Sequence, residues 1–339
     1  MDQTVRVAAV QAEPAWLDLA AGIDKVVDLI GRAADGGARL VAFGETFVPG
    51  YPWWIWLDSP AAGMQFVPRY AANSMTRDGA EMQRVRDAAA RHRVHVVLGF
   101  SERAGGSLYM AQAFVADTGE LIAVRRKLKP THVERSVFGE GDGSDLQVHD
   151  TSLGKVGGLN CWEHLQPLTK YALYSLGEEI HVAAWPSFSV YRGAAQALGP
   201  EVNTAASLMY AVEGQTFVVA PCSVIGQAAH DLFCDTDVKR RLLLQGGGFA
   251  RIYGPEGSQL AEPLPETEEG ILFADLDPAL IAIGKSAADP VGHYSRPDVL
   301  RLLINRNPAP RTVVAAPEAA QLPAVPGNDE PFPAEMSRM

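Results

Sequence analysis

The chain has 339 residues, 47% of them hydrophobic and 20% charged, with a formal net charge of −11. That is enough apolar material for one large core or two smaller ones, and an acidic chain without a long Lys/Arg run argues against a nucleic-acid or anionic-membrane partner. The cysteines Cys161, Cys222 and Cys234 cannot all pair within one chain and form no zinc pattern; with no signal-peptide pattern and no run of about 18 apolar residues, a cytoplasmic protein is expected.

Strand and helix signals then alternate along the chain. "VRVAAVQA" (Val5 to Ala12) predicts a buried strand. Ile23, Val26, Val27 and Ile30 fall at helical spacing, with Gly36 and Gly37 as a stop. "ARLVAFGE" (Ala38 to Glu45) predicts a strand, "EMQRVRDAAARHR" a helix and "VHVVLGF" a strand. "AQAFVAD" and "LIAVRRK" flank the turn "TGE" and predict a hairpin. "KVGGLNC" and "IHVAAWP" read as strands around the helix "PLTKYALYSLG", and "QTFVVAP" as a strand after the helix "NTAASLMYAVEG". A second hairpin is expected around Pro255-Glu256-Gly257, and "GILFADLD" as the strand that closes the pattern. "PVGHYSRPDVLRLLIN" predicts a loop and a short helix. The Pro-rich stretch 305–339 predicts a mobile tail after a domain of residues 1–304. Mixing βα units with hairpins points to an α/β architecture with mixed sheets.

Three predicted strands end in groups able to do chemistry: Glu45, Lys127 and Cys161. Strand ends in α/β sheets face the crevice where sites are built. A thiol of ordinary pKa, ~8.5, is mostly protonated at neutral pH and needs a base, which Glu45 supplies. Charge developing on an attacked substrate needs a cation or a backbone N–H, which Lys127 and Trp162 supply. On spacing alone Lys129 serves as well as Lys127. "GEGDGSD" (Gly139 to Asp145) lacks the spacing of a calcium loop, and "LLLQGGGFA" (Leu242 to Ala250) lacks the ending of a phosphate loop.

Five stretches, "FGETFVPGYPWW", "RRKLKPTHVERSVFGEGDGSD", "GGLNCWEHLQPLTKYAL", "HVAAWPSFS" and "DPVGHYSRPDVLRL", resemble the nitrilase family of carbon–nitrogen hydrolases. The narrower similarity, through "PGYPWWIWLDSPA", "SERAGGSLYMAQA" and "AAWPSFSVYRGAA", is to bacterial arylacetonitrilases. The resemblance implies an αββα sandwich of two mixed β-sheets with helices on the outer faces. It also implies a homo-oligomer, a dimer extending to spiral filaments, and no metal or organic cofactor. It assigns the catalytic Glu45, Lys127 (the first lysine of "KLKP") and Cys161, with Glu134 beside them. The implied substrate is a nitrile, converted to carboxylic acid and ammonia through a thioimidate and a thioester. Tyr51, Trp162, His132, Trp185, Pro186 and Phe188 are expected around the substrate. Asn160, Glu163 and His164 are expected as structural neighbours; Asn160 stands where the subgroup often has a small or sulfur residue. The alternatives are aliphatic nitriles, cyanide or amides on the same triad, and a non-enzymatic assembly protein of the same fold.

Overall fold

The computed structural model describes residues 1 and 3–313. A compact unit spans Met1–Asn307; of the second unit, Pro308–Met339, residues 308–313 are described and hold no helix or strand. The expected mobile tail therefore lies largely outside the described residues.

The strands are β1 (Val5–Ala12), β2 (Leu40–Ala42), β3 (His95–Ala104), β4 (Ser107–Val115), β5 (Leu121–Arg126), β6 (Phe138–Gly139), β7 (His149–Thr151), β8 (Gly154–Asn160), β9 (Ile180–Ala184), β10 (Phe217–Ala220), β11 (Cys222–Ser223), β12 (Arg251–Tyr253) and β13 (Gly270–Leu276). The eight-stranded sheet runs β11-β1-β2-β3-β4-β5, with β13 also on β1 and β6 on β4. The five-stranded sheet runs β12-β10-β9-β8-β7. Both are mixed: β1-β2-β3 and β8-β9-β10 are parallel, whereas β3-β4-β5, β1-β13, β7-β8 and β10-β12 are antiparallel.

Alternation along the strands assigns the layers. Val7 and Ala9 of β1 and Val97 of β3 pack with Val156, Ile180 and Val182 of the smaller sheet. Their neighbours Ala8, Val10, Val96 and Leu98 face the other way, onto Ile23, Val26 and Ile30 of the helix Leu19–Asp35 and Val85 of the helix Ala80–His92. Ala172, Leu173, Tyr210 and Ala211, from the helices Pro167–Ser175 and Pro200–Gly214, cover the smaller sheet. This is the expected αββα sandwich. Each fully buried Val, Leu or Ile contributes about 1.5–3 kcal/mol to it. Among the described residues no helix is long and apolar enough to cross a membrane.

The structure departs from the sequence reading in four places. The strand expected over 38–45 pairs only over Leu40–Ala42, because at Gly44 the chain crosses so close to Gly99 that a β-carbon there would lie 2.0 Å from the Gly44 oxygen. The second hairpin keeps its turn, but its return arm forms a single bridge, Tyr253 to Gln259; Pro263 and Pro265 on that arm have no N–H to donate to a ladder. β13 does not close the pattern: the helix Ala279–Ala287 follows it. The short helix expected before residue 304 is absent. There Leu302 and Ile304 pack on the core while Leu303 is 96% exposed, the alternation of an extended chain.

Candidate active site

Four carboxylate, ammonium and thiol groups meet where the strands of both sheets end. Lys127, the residue after β5, is wholly buried and donates to Glu45 Oε1 at 2.9 Å and to Glu134 Oε2 at 2.7 Å. Lys129 is exposed and pairs with Glu140 in solvent, so the geometry separates the two lysines that spacing left equivalent. Glu134 sits in the turn His132–Ser136, where its carboxylate also takes the Thr131 N–H and, at 2.8 Å, the Tyr51 hydroxyl. Tyr51 in turn accepts from Trp56 Nε1 at 3.0 Å.

Glu45 follows Gly44, and its N–H donates to the Trp185 carbonyl at 3.2 Å. Its Oε2 is buried and has no hydrogen-bond partner. Burial pushes its carboxyl up to about 8; Lys127 opposes that shift and Glu134 adds to it. For Lys127 burial pulls down, but the carboxylates of Glu134 and Glu45 win and hold the ammonium above its usual range.

Cys161 has φ +47, a left-handed conformation that costs a non-glycine residue about 1–2 kcal/mol. The bend breaks β8 and starts the tight turn Cys161–Leu165. Burial, with Glu45 adding to it, holds the thiol well above its usual range; Lys127 and the Trp162 N–H pull the other way. The resting Cys161 side chain is therefore a thiol, and to attack a substrate it would need a base.

Glu163 locks the two strand ends together. It pairs with both arms of Arg125 at 2.7 Å and accepts the N–H groups of Asn160 at 2.8 Å and Leu128 at 2.9 Å. One carboxylate so fixes the backbone before Cys161 against the backbone after Lys127. Those four bonds hold Glu163 below the usual carboxylate range despite burial. The glycine pair of "KVGGLNC" makes room for buried polar groups. A β-carbon on Gly158 would lie 3.1 Å from the Gln112 amide, and one on Gly157 would lie 2.1 Å from a Glu178 oxygen. Gln112 itself accepts from Arg125 at 3.3 Å.

A narrow cavity opens beside this cluster. Cys161 and Glu134 lie in its wall with Tyr51, Trp162, Trp185, Pro186 and Phe188, while Glu45 and Lys127 stand behind. His132 is not in that wall: it stacks on Trp56 at 5.7 Å, outside. Its short turn points Glu134 inward and leaves the histidine facing away. Trp53, Trp56, Leu198 and Asn203 also line the cavity, and of these the sequence gives no sign of Leu198 and Asn203. Asn203 accepts from Trp162 Nε1 at 2.9 Å and fixes that indole. An asparagine amid the apolar helix Pro200–Gly214 is the signal that could have found it. Asn160 and His164 are buried beside Cys161, and His164 reaches back to the Cys161 carbonyl at 2.6 Å.

The carbon–nitrogen hydrolase family model matches residues 6–284. The chain is 57% identical over 304 residues to an aliphatic nitrilase of Rhodococcus rhodochrous, covering 89% of this chain and 83% of that one. It is 51% identical over 301 residues to an arylacetone-specific nitrilase of Alcaligenes faecalis, covering 89% and 85%. The crystal structure of Saccharomyces cerevisiae Nit3, a member of branch 10 of the nitrilase superfamily, matches with a TM-score of 0.67 at 19% identity, over 86% of this chain and 96% of that one.

Proposed function

The chain belongs to the carbon–nitrogen hydrolase family as a nitrilase, and from that premise we propose that it hydrolyses arylacetonitriles through a covalent intermediate on Cys161. The observation that carries the mechanism is the unpartnered Oε2 of Glu45. Lys127 occupies the other oxygen, and burial makes the carboxylate basic enough to take the thiol proton.

Cys161 Sγ bonds to the nitrile carbon as one C–N π bond opens, and the thiol proton passes through Glu45 to the nitrogen. Lys127 and the Trp162 N–H face the nitrogen while it carries charge. Water then adds to the thioimidate carbon and gives its proton to Glu45. The C–N bond breaks, ammonia leaves with a proton from the same cluster, and a thioester remains. A second water, activated in the same way, releases the acid and restores the thiol. Glu134 holds Lys127 in place and is itself held by Tyr51.

The aryl preference is supported by the aromatic lining of the cavity, to which Tyr51, Trp53, Trp56, Trp185 and Phe188 contribute. A preference for aliphatic nitriles is the second reading, favoured by the higher identity to the aliphatic nitrilase. Ammonia release from phenylacetonitrile and mandelonitrile, beside a series of aliphatic nitriles, tests it. The aryl reading expects kcat/KM at least about tenfold higher for the aryl substrates; parity or reversal leaves the aliphatic reading.

A pH profile checks the base. Glu45 works as a carboxylate, so kcat/KM is expected to rise as pH passes through about 8. Stability runs the opposite way: with its carboxyl raised from 4.5 to about 8, the stabilising contribution of protonated Glu45 is complete below 4.5 and lost as pH rises through 8. Glu45→Gln is expected to flatten the fall in Tm over that window; an unchanged slope would assign it to other groups.

A further inference from the structure

Behind the nucleophile runs a buried chain of hydrogen bonds that none of these steps uses. His164 Nδ1 meets the Cys161 carbonyl at 2.6 Å, and its Nε2 meets His181 Nε2 at 2.9 Å. His181 Nδ1 meets Glu178 Oε1 at 2.8 Å, and Tyr210 donates to Glu178 Oε2 at 2.6 Å. All four residues are at most 3% exposed. Gly157 exists as glycine where Glu178 presses against β8.

Donor and acceptor rules fix the protons. A carbonyl only accepts, so His164 Nδ1 carries hydrogen. Burial keeps both imidazoles neutral, so His164 Nε2 is a bare acceptor and His181 donates from its own Nε2. His181 Nδ1 is then bare, and its contact with Glu178 is a hydrogen bond only if Glu178 carries the proton. Burial raises that carboxyl to about 8, with Tyr210 and Arg125 opposing. Arg125 and Glu163, whose charges act on this chain, are closed on each other.

The chain ends on a particular peptide. In a trans peptide the C=O and the following N–H point in opposite directions. Holding the Cys161 carbonyl therefore aims the Trp162 N–H, which is turned toward the Cys161 sulfur. We propose that Glu178, His181 and His164 are positioning residues that hold the strained Cys161–Trp162 peptide so that its N–H meets the nitrogen charge formed on the substrate. The inference rests on the nitrile-hydrolysing reading above.

The test is steady-state kinetics on a nitrile the wild type hydrolyses, with Tm measured beside it. His164→Leu removes the donor to the carbonyl and is expected to lower kcat about 100-fold with KM nearly unchanged. Glu178→Leu leaves the relay uncapped and is expected to lower kcat in the same direction. Glu178→Gln restores both bonds, its amide N–H donating to His181 and its C=O accepting from Tyr210, and is expected to stay within about twofold of wild type. Unchanged kcat in His164→Leu, with only Tm lowered, would reduce the relay to scaffold. A raised KM at constant kcat would assign His164 to holding Trp185, on which it stacks at 5.1 Å. Glu178→Gln as poor as Glu178→Leu would overturn the proton assignment. Wild-type protein inactive on every nitrile would sink the enzymatic reading instead, an outcome separable from all of these.

Discussion

Cys161→Ala is expected to release no ammonia from any nitrile, a loss of at least about 10⁴-fold in kcat. No other thiol can substitute. Cys222 is buried with its Sγ against the Gly247 carbonyl at 3.4 Å, and Cys234 is buried in the aromatic cluster with Trp54 and Phe233. The variant should fold, since the change removes one sulfur from a partly exposed residue. Alkylation gives an independent reading. Because the resting thiol is held protonated, iodoacetamide should inactivate wild type slowly at neutral pH and faster as pH rises. Glu45→Gln should slow that inactivation further. Residual turnover in Cys161→Ala above the uncatalysed rate would remove the covalent mechanism.

How much of this was legible in the sequence depends on the range of the interaction. Glu45, Lys127 and Cys161 each end an apolar run, and the chain's own alternation puts strand ends at the crevice, so all three could be nominated from local pattern. The pairing of Lys127 with Glu45, 82 residues away, has no local signature, and on spacing alone Lys129 looked equally good. Glu163 was readable as a neighbour but not as the clamp between two strand ends, since Leu128 and Asn160 approach only after the sheets stack. His181 opens a stretch quoted for its resemblance and Glu178 lies just outside it, yet their role depends on Gly157 of the neighbouring strand and on Tyr210 from a helix. The resemblance implies His132 around the substrate, but a tight turn sends residues two apart to different sides. The helix Ala279–Ala287 was missed, and a helix was expected before residue 304 instead. Both segments are short and apolar, and only packing decides which one coils: Gly284 of the first is buried, while Leu300 of the second is 81% exposed.

Lys127→Met is expected to be the most damaging change to the fold as well as to activity. It leaves Glu45 and Glu134 buried side by side with no cation between them, and breaking such a buried pair costs about 3–5 kcal/mol. The penalty should depend on pH in a definite direction. Without Lys127, Glu45 loses the group that favours its charged form, so it holds its proton to still higher pH. A carboxyl that keeps its proton in the folded state after the unfolded one has ionised makes stability fall as pH rises above about 4. The variant should therefore lie nearest wild type at mildly acidic pH and fall away from it as pH rises. Urea midpoints at pH 5 and pH 8 measure this, and a constant gap between the two proteins would mean that the cluster is not a buried charge network. The triple variant Glu45→Gln, Glu134→Gln, Lys127→Met removes all three charges. It should recover most of the lost stability, because hydrogen-bonding amides replace the unpaired anions, while hydrolysis stays absent. Recovered stability without recovered turnover would separate the two functions of Lys127: holding its carboxylates in the core, and meeting the charge on the substrate nitrogen.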